Sequence, residues 1–320
     1  MRNLRYGTTI ADMLTLPETD LVVHELCLGG NVFGWSADEA QSHAVLDAYA
    51  SHGGNFLDTA DVYSEWKEGN TGGESESIIG RWLEKRDRSQ FVIATKVALY
   101  SKRPGLSAAN IIAACDESLA RLKTDYIDIY YSHKDDPTVP MEETLGAYAQ
   151  LIAAGKVRYI AASQHSGARL QEALDISERE NLPSYIGLQD RYNLMDRNPF
   201  ETDQQPVILK NQLSAMPFYG VARGFLSGKY RKGVVVESVR AAGVAEYQTD
   251  RGWAVLDAVT DIARAHNSTP SAVALAWLRS NPAVSTPIAS ARTVEQLHEI
   301  AEVIHLSDIE VGILNRASTE

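Results

Sequence analysis

The chain has 320 residues, 44% hydrophobic and 22% charged, which suits one large water-soluble domain or two smaller ones. With 30 Lys plus Arg against 42 Asp plus Glu, the net charge is −12. That balance argues against a nucleic-acid partner, though a local basic pocket for one small anion stays open. No apolar run nears the ~20 residues of a membrane span, and the opening MRNLRYGTTI lacks the apolar core of a secretory signal. Cys27 and Cys115 are too few for a disulfide scaffold or cysteine zinc site, and point to the reducing cytoplasm.

In chain order, Asn3 to Gly30 holds two short apolar stretches and reads as a hairpin. Ser36-Ala-Asp-Glu39 has the form of a capping box that starts a helix, and Gly53-Gly54 stops it. Asn55–Leu57 is a short strand, followed by a glycine-rich loop to Gly73 and a helix marked by Ile78, Ile79, Trp82 and Leu83. Phe91–Val97 reads as a strand, and Ser107 caps a helix running through Leu122. Tyr126–Tyr131, Val157–Ala162 and Tyr185–Gln189 are further strands. They alternate with helices at Met141–Ala154, Ala168–Glu180 and after Pro206. Leu213–Phe218 and Val284–Ile288 complete the strands, with helices at Trp253–Ala265, Ser271–Arg279 and Val294–Val303.

Eight strand-to-helix steps over roughly 250 residues predict a single-domain α/β (β/α)8 TIM barrel. An N-terminal β-hairpin precedes it, and extra helices lie near the C-terminus. A doubly wound sheet would carry a Gly-x-Gly-x-x-Gly fingerprint, which is absent.

Chemistry in such a barrel sits where the strands end. Those ends carry Asp58, Lys96, His133 with Asp135 and Asp136, Ser163-Gln164-His165 and Gln189, and Tyr63 lies in the loop above Asp58. A phenol with a reference pKa near ~10 is a slow donor at neutral pH, and a neighbouring ammonium lowers that value. A carboxylate can hold the ammonium in place, and an imidazole can orient a carbonyl oxygen. None of the four supplies a hydride, so a cofactor is required. A metal-dependent hydrolase using Asp58, His133 and Asp136 is the rival from another class, and no His-x-His pair supports it.

These residues resemble the aldo-keto reductase family. Gly54-Asn55-Phe56-Leu57-Asp58-Thr59-Ala60-x-x-Tyr63 is similar to its first signature. Thr95-Lys96 resembles its lysine motif, and Asp128 to Asp136 the segment carrying its histidine. The resemblance implies NADPH-dependent reduction of a carbonyl compound, or the reverse oxidation. In it Tyr63 is the general acid, Lys96 lowers its pKa, Asp58 pairs with Lys96 and His133 orients the carbonyl.

The resemblance also implies that Ser163, Gln164 and Gln189 hold the nicotinamide amide, with Gln164 where the family usually has Asn. Phe218 stands for the usual stacking Tyr, and Tyr219-Gly220 replaces the usual Ser-Pro ahead of Val221. Gly224, Leu226, Gly228 and Lys229 match the loop over the pyrophosphate. Ile288, Ser290 and Arg292 match the adenosine-phosphate loop, with Arg292 on the 2′-phosphate. Gln296 and Glu299 match positions near the adenine, where Ile300 replaces the usual Asn. Phe33, Trp35 and Trp66 are expected walls of an aromatic pocket for aldehydes, ketones or sugar rings. Some relatives of this fold are regulatory subunits of potassium channels, which is the second reading. No metal, membrane or nucleic-acid partner is expected, and a homo-oligomer is compatible with the chain.

Overall fold

The computed structural model describes residues 13–234 and 241–319. The expected hairpin is present in its second half: β1 (Met13–Thr15) and β2 (Val22–His24) pair antiparallel. Its first half, residues 3–12, lies outside the described residues.

Eight parallel strands follow. They are β3 (Cys27–Gly29), β4 (Phe56–Asp58), β5 (Val92–Val97), β6 (Ile127–Ser132), β7 (Val157–Ser163), β8 (Tyr185–Gln189), β9 (Ser214–Ala215) and β10 (Ile288–Ala289). Sequential strands from β3 to β9 are neighbours, and β10 pairs with β3. The ring closes through an Ala215–Val284 bridge and the bond from Ile288 N to Pro217 O at 2.8 Å. This is the expected (β/α)8 barrel, with its last two strands shorter than Leu213–Phe218 and Val284–Ile288.

The helices are α1 (Glu39–Ser51), α2 (Glu74–Leu83), α3 (Ala108–Leu122), α4 (Met141–Ala153), α5 (Gly167–Glu180), α6 (Gln205–Lys210), α7 (Ala241–Val244), α8 (Asp250–Ala265), α9 (Pro270–Arg279), α10 (Val294–Ala301) and α11 (Asp308–Ser318). No helix among the described residues is long and apolar enough to cross a membrane. The capping box of α1 sits two residues later than expected. Asp38 accepts from Gln41 N at 2.9 Å, and the Gln41 side chain accepts from Asp38 N at 3.0 Å, so Ser36 is not the cap. Short carboxylate and long amide fit the reciprocal geometry as well as Ser and Glu do. Helix α6 is entered through a wider turn at Phe200–Gln204, ahead of the Pro206 expected to mark its start. Helix α11 carries its own box, Ser307 with Glu310.

Strand alternation decides what the barrel contains. Phe56, Val92, Ala94, Ile129, Tyr131 and Met216 fill the interior, and Leu16, Leu21 and Val23 of the hairpin close its floor. Leu57, Ile93 and Tyr130, one residue out of phase, pack outward under the helices. The same period carries Asp58, Lys96 and His133 to the interior at the carboxyl ends.

Helices α2 and α3 approach closely at Gly80, where an added Cβ would lie 2.1 Å from Arg121 O and 2.8 Å from the Leu122 carbonyl carbon. Gly80→Ala must push two backbones apart, so it should cost about 1–3 kcal/mol, or several degrees of melting temperature. Gly146 of α4 has open space around it. Gly146→Ala should therefore raise the melting temperature slightly through helix propensity. Thermal denaturation of the two variants checks the opposite signs.

Candidate active site

Lys96 is fully buried, and its ammonium has three acceptors. They are Asp58 Oδ2 at 2.6 Å, the Thr59 carbonyl at 2.7 Å and the Tyr63 hydroxyl at 2.9 Å. Three donors meet three acceptors, so the cation is satisfied without water. Tyr63 OH also lies 3.3 Å from Asp58 Oδ2, and Gln189 Nε2 donates to Asp58 Oδ1 at 2.9 Å.

The loop that delivers Tyr63 is tied down locally. Ser64, at φ 73°, donates its hydroxyl to Phe33 O at 2.6 Å. Asn70 Nδ2 donates to Gly34 O at 3.0 Å and to Ser64 O at 2.9 Å. His133 follows β6, with its ring edge-to-face with Tyr63 at 5.9 Å. Its Nδ1 is buried with no hydrogen-bond partner.

Burial and Lys96 hold the His133 imidazole well below its usual pKa, so it is neutral and keeps one N–H to donate. Burial lowers the Lys96 pKa even though Asp58 opposes the change. Lys96 donates to the Tyr63 hydroxyl at 2.9 Å, the contact through which it is expected to favour the phenolate. Burial, and then the adjacent Asp58 carboxylate, push the phenol well above its ordinary value.

Asp58, Tyr63, His133 and Gln189 line a cavity of about 880 Å³ at the carboxyl ends of the strands, with Lys96 buried beneath. Ser163 Oγ faces it, buried and unpartnered. Gln164, at φ 53°, instead sends Nε2 to the His133 carbonyl at 2.9 Å. Phe218 and Tyr219, edge-to-face at 5.0 Å, continue the wall with Gly220 and Val221. Beyond them Ala222, Arg223 and Gly224 all adopt left-handed backbone, a strain that collects at functional loops.

The Leu226 side chain is fully buried in the outer core, which leaves its backbone to face the loop. Gly228, at φ 82°, abuts Pro270, and Lys229 Nζ sits over the Tyr230 ring at 5.1 Å. Opposite, Ile288 and Ser290 line the cavity, and Ser290 donates to Asn31 Oδ1 at 2.6 Å. Gln296 Oε1 accepts from Arg292 N at 3.0 Å, and no carboxylate among the described residues pairs with the Arg292 guanidinium. Glu299 is exposed, and Ile300 is buried.

Trp66, half exposed, lines the mouth and meets Tyr63 at 6.1 Å and Trp35 at 5.8 Å. Trp35 backs Trp66 rather than lining the cavity. Phe33 is corrected as a wall, since it is fully buried under the Tyr63 loop. The hydrolase rival finds no support. Asp136 caps the Thr138 turn and Leu106 N, and no cluster of metal-binding side chains occurs among the described residues.

Sequence reasoning passed over Arg191 and Arg223, which line the cavity and both reach Glu246 at 3.2 Å. Their signal was a charged residue two positions after a strand end and another inside the pyrophosphate-loop motif. It also passed over Leu99 and Asn198 in the wall.

Comparison with known proteins agrees with this geometry. A family model described as "Aldo/keto reductase family" matches residues 25–318. "Protein tas" of Escherichia coli (strain K12) is 32% identical over 91% of this chain and 92% of its own. A chain of Schizosaccharomyces pombe named "Putative voltage-gated potassium channel subunit beta" is 35% identical over 79% of this chain and 76% of its own. "Uncharacterized oxidoreductase YrpG" of Bacillus subtilis (strain 168) is 32% identical over 91% and 90%. The fold is a barrel with Asp58, Tyr63, Lys96 and His133 gathered at one rim, and the chain belongs to the aldo/keto reductase family.

Behind the site Asp61 is buried with both carboxylate oxygens unpartnered. Burial, then the neighbouring Glu76, push its pKa up to about 8. Glu76 is itself held by Thr95 Oγ1 at 2.5 Å and Arg121 Nε at 2.6 Å. Because the folded pKa exceeds the unfolded value of ~3.9, Asp61 favours folding fully below pH ~4 and loses that contribution as pH rises to about 8. Asp61→Asn, which mimics the protonated acid, should melt like wild type at pH 4. It should melt higher at pH 8, by on the order of a few kcal/mol. Melting curves against pH check this.

Proposed function

We propose that this chain is an NADPH-dependent oxidoreductase that reduces an aldehyde or ketone, sugar-like carbonyls included, to an alcohol. The observation that carries the reading is the Lys96 ammonium, 2.9 Å from the Tyr63 hydroxyl and 2.6 Å from Asp58, beneath an open cavity. Membership of a family with oxidoreductase relatives supports it. NADPH, when bound, supplies the hydride.

The residues present suit that cofactor. Among the described residues Ser163 Oγ has no partner and Arg292 no carboxylate, and Phe218 offers a ring face to the cavity. Ser163, Gln164, Gln189 and Phe218 would hold the nicotinamide end. The Tyr219–Lys229 loop would hold the diphosphate, and Arg292 the 2′-phosphate.

Tyr63 gives its proton to the carbonyl oxygen. The raised pKa keeps that proton in place until a substrate oxygen gains negative charge. The phenolate left behind is stabilised by Lys96, which already donates to that oxygen. Asp58 keeps Lys96 charged despite its burial. Neutral His133 donates to the same substrate oxygen and orients it. Trp66 shapes the entry.

A second reading follows from the potassium-channel-subunit relative: a cofactor-binding regulatory protein with slow turnover or none. NADPH oxidation across an aldehyde and ketone panel separates the two, since only the first gives multiple turnovers. Tyr63→Phe should cut kcat by about 10²–10⁴-fold with NADPH affinity within about twofold, as expected when only a proton donor is lost. Wild-type turnover in that variant would remove Tyr63 as the acid. Arg292→Ala should weaken NADPH binding by about ten- to a hundredfold and leave NADH binding unchanged, as measured by nicotinamide fluorescence. Equal losses would remove the 2′-phosphate assignment.

A further inference from the structure

Gln189 ends β8 with its side chain buried at the inner face of the cavity. The two oxygens of Asp58 have separate tasks. Oδ2 meets Lys96 and Tyr63, and Oδ1 accepts from Gln189. The last torsion of an aspartate has broad, shallow preferences, so a carboxylate gripped on one oxygen is free to turn. Gripped on both, it has one orientation. We propose that Gln189 is a positioning residue for the proton donor, holding Asp58 so that Oδ2 stays at Lys96 and Tyr63.

The inference rests on the reductase reading above, yet the contact lies wholly within the chain. It also defines the direction of the Gln189 amide. A carboxylate only accepts, so the NH₂ must face Asp58, and Oε1 remains to accept from a ligand N–H. The same side chain would then serve the nicotinamide amide on one side and the acid on the other. Gln164 does not share this role, because its Nε2 goes to the His133 backbone.

Two variants separate the roles. Gln189→Leu keeps the bulk and removes the donor at every pH. Gln189→Glu can donate to Asp58 while protonated and repels it once ionised. The titratable groups around the contact are Lys96, Tyr63, Tyr131, Cys27 and His133. Tyr131 and Cys27 are pushed up by burial and by Asp58, so they stay protonated across the range.

At saturating NADPH, Gln189→Leu should lower kcat about ten- to a hundredfold at all pH values, the scale of a hydrogen bond to a charged group. Gln189→Glu should approach wild-type turnover at low pH and lose it as pH rises. A carboxylate that merely accepted from the nicotinamide amide would show no such loss. Melting of the cofactor-free protein reads the contact without turnover, and the gap between Gln189→Glu and wild type should widen with pH. Suppose instead that both variants keep kcat within twofold across pH, show no widening gap, and lose only NADPH affinity by fluorescence. Gln189 is then a cofactor ligand alone, and the inference is overturned. A wild type that reduces no carbonyl compound, with the melting gap still pH-dependent, would remove the reductase reading and leave the hold on Asp58 standing.

Discussion

A lysine ammonium sealed from solvent is the constraint around which the upper end of the barrel is arranged. A buried cation costs several kcal/mol unless its donors are matched by charge and geometry. Lys96 meets that demand with one carboxylate, one backbone carbonyl and one phenol. Strand β4 must therefore end at Asp58 beside β5, and the chain must turn at once so that Thr59 offers its carbonyl and Tyr63 its hydroxyl. Truncating Asp58 would strand the cation. The acid of the proposed reaction thus stands on an interaction that the fold itself has to satisfy.

Much of this was legible because strand periodicity is a simple code. Asp58, Lys96 and His133 each close an apolar run on the inward phase, which alone brings them to one rim. What the sequence hid depends on distances across the fold. Phe33 and Trp66 look alike as aromatic loop residues, but one is sealed beneath the loop and the other stands at the mouth. Leu226 sits inside a resembled binding motif, yet its side chain is packed into the core. The rise in the Tyr63 pKa is another such case, since desolvation is a property of the packed site. The cap of α1 was misplaced by two residues because Ser36 and Asp38 are equally good candidates in the chain.

Family membership narrows the chemistry without choosing the biology. Relatives include a chain named as an oxidoreductase and one named as a putative potassium-channel subunit. The departures of this chain concentrate at the rim of the barrel. Gln164 sits on left-handed backbone, a conformation that suits Asn better, and its longer arm reaches the His133 carbonyl. Arg191 and Arg223 share one carboxylate, Glu246, across the cavity wall.

The loop carrying Trp66 has one more implication. Its backbone is stitched to residues 33 and 34 by Ser64 and Asn70, so it behaves as a shelf and not as a flap. A shelf discriminates by the outline of what stands on it. On the proposed reading, changes in substrate range should come from exchanging side chains at the mouth such as Leu99, whereas Trp66 also packs edge-to-face on Tyr63.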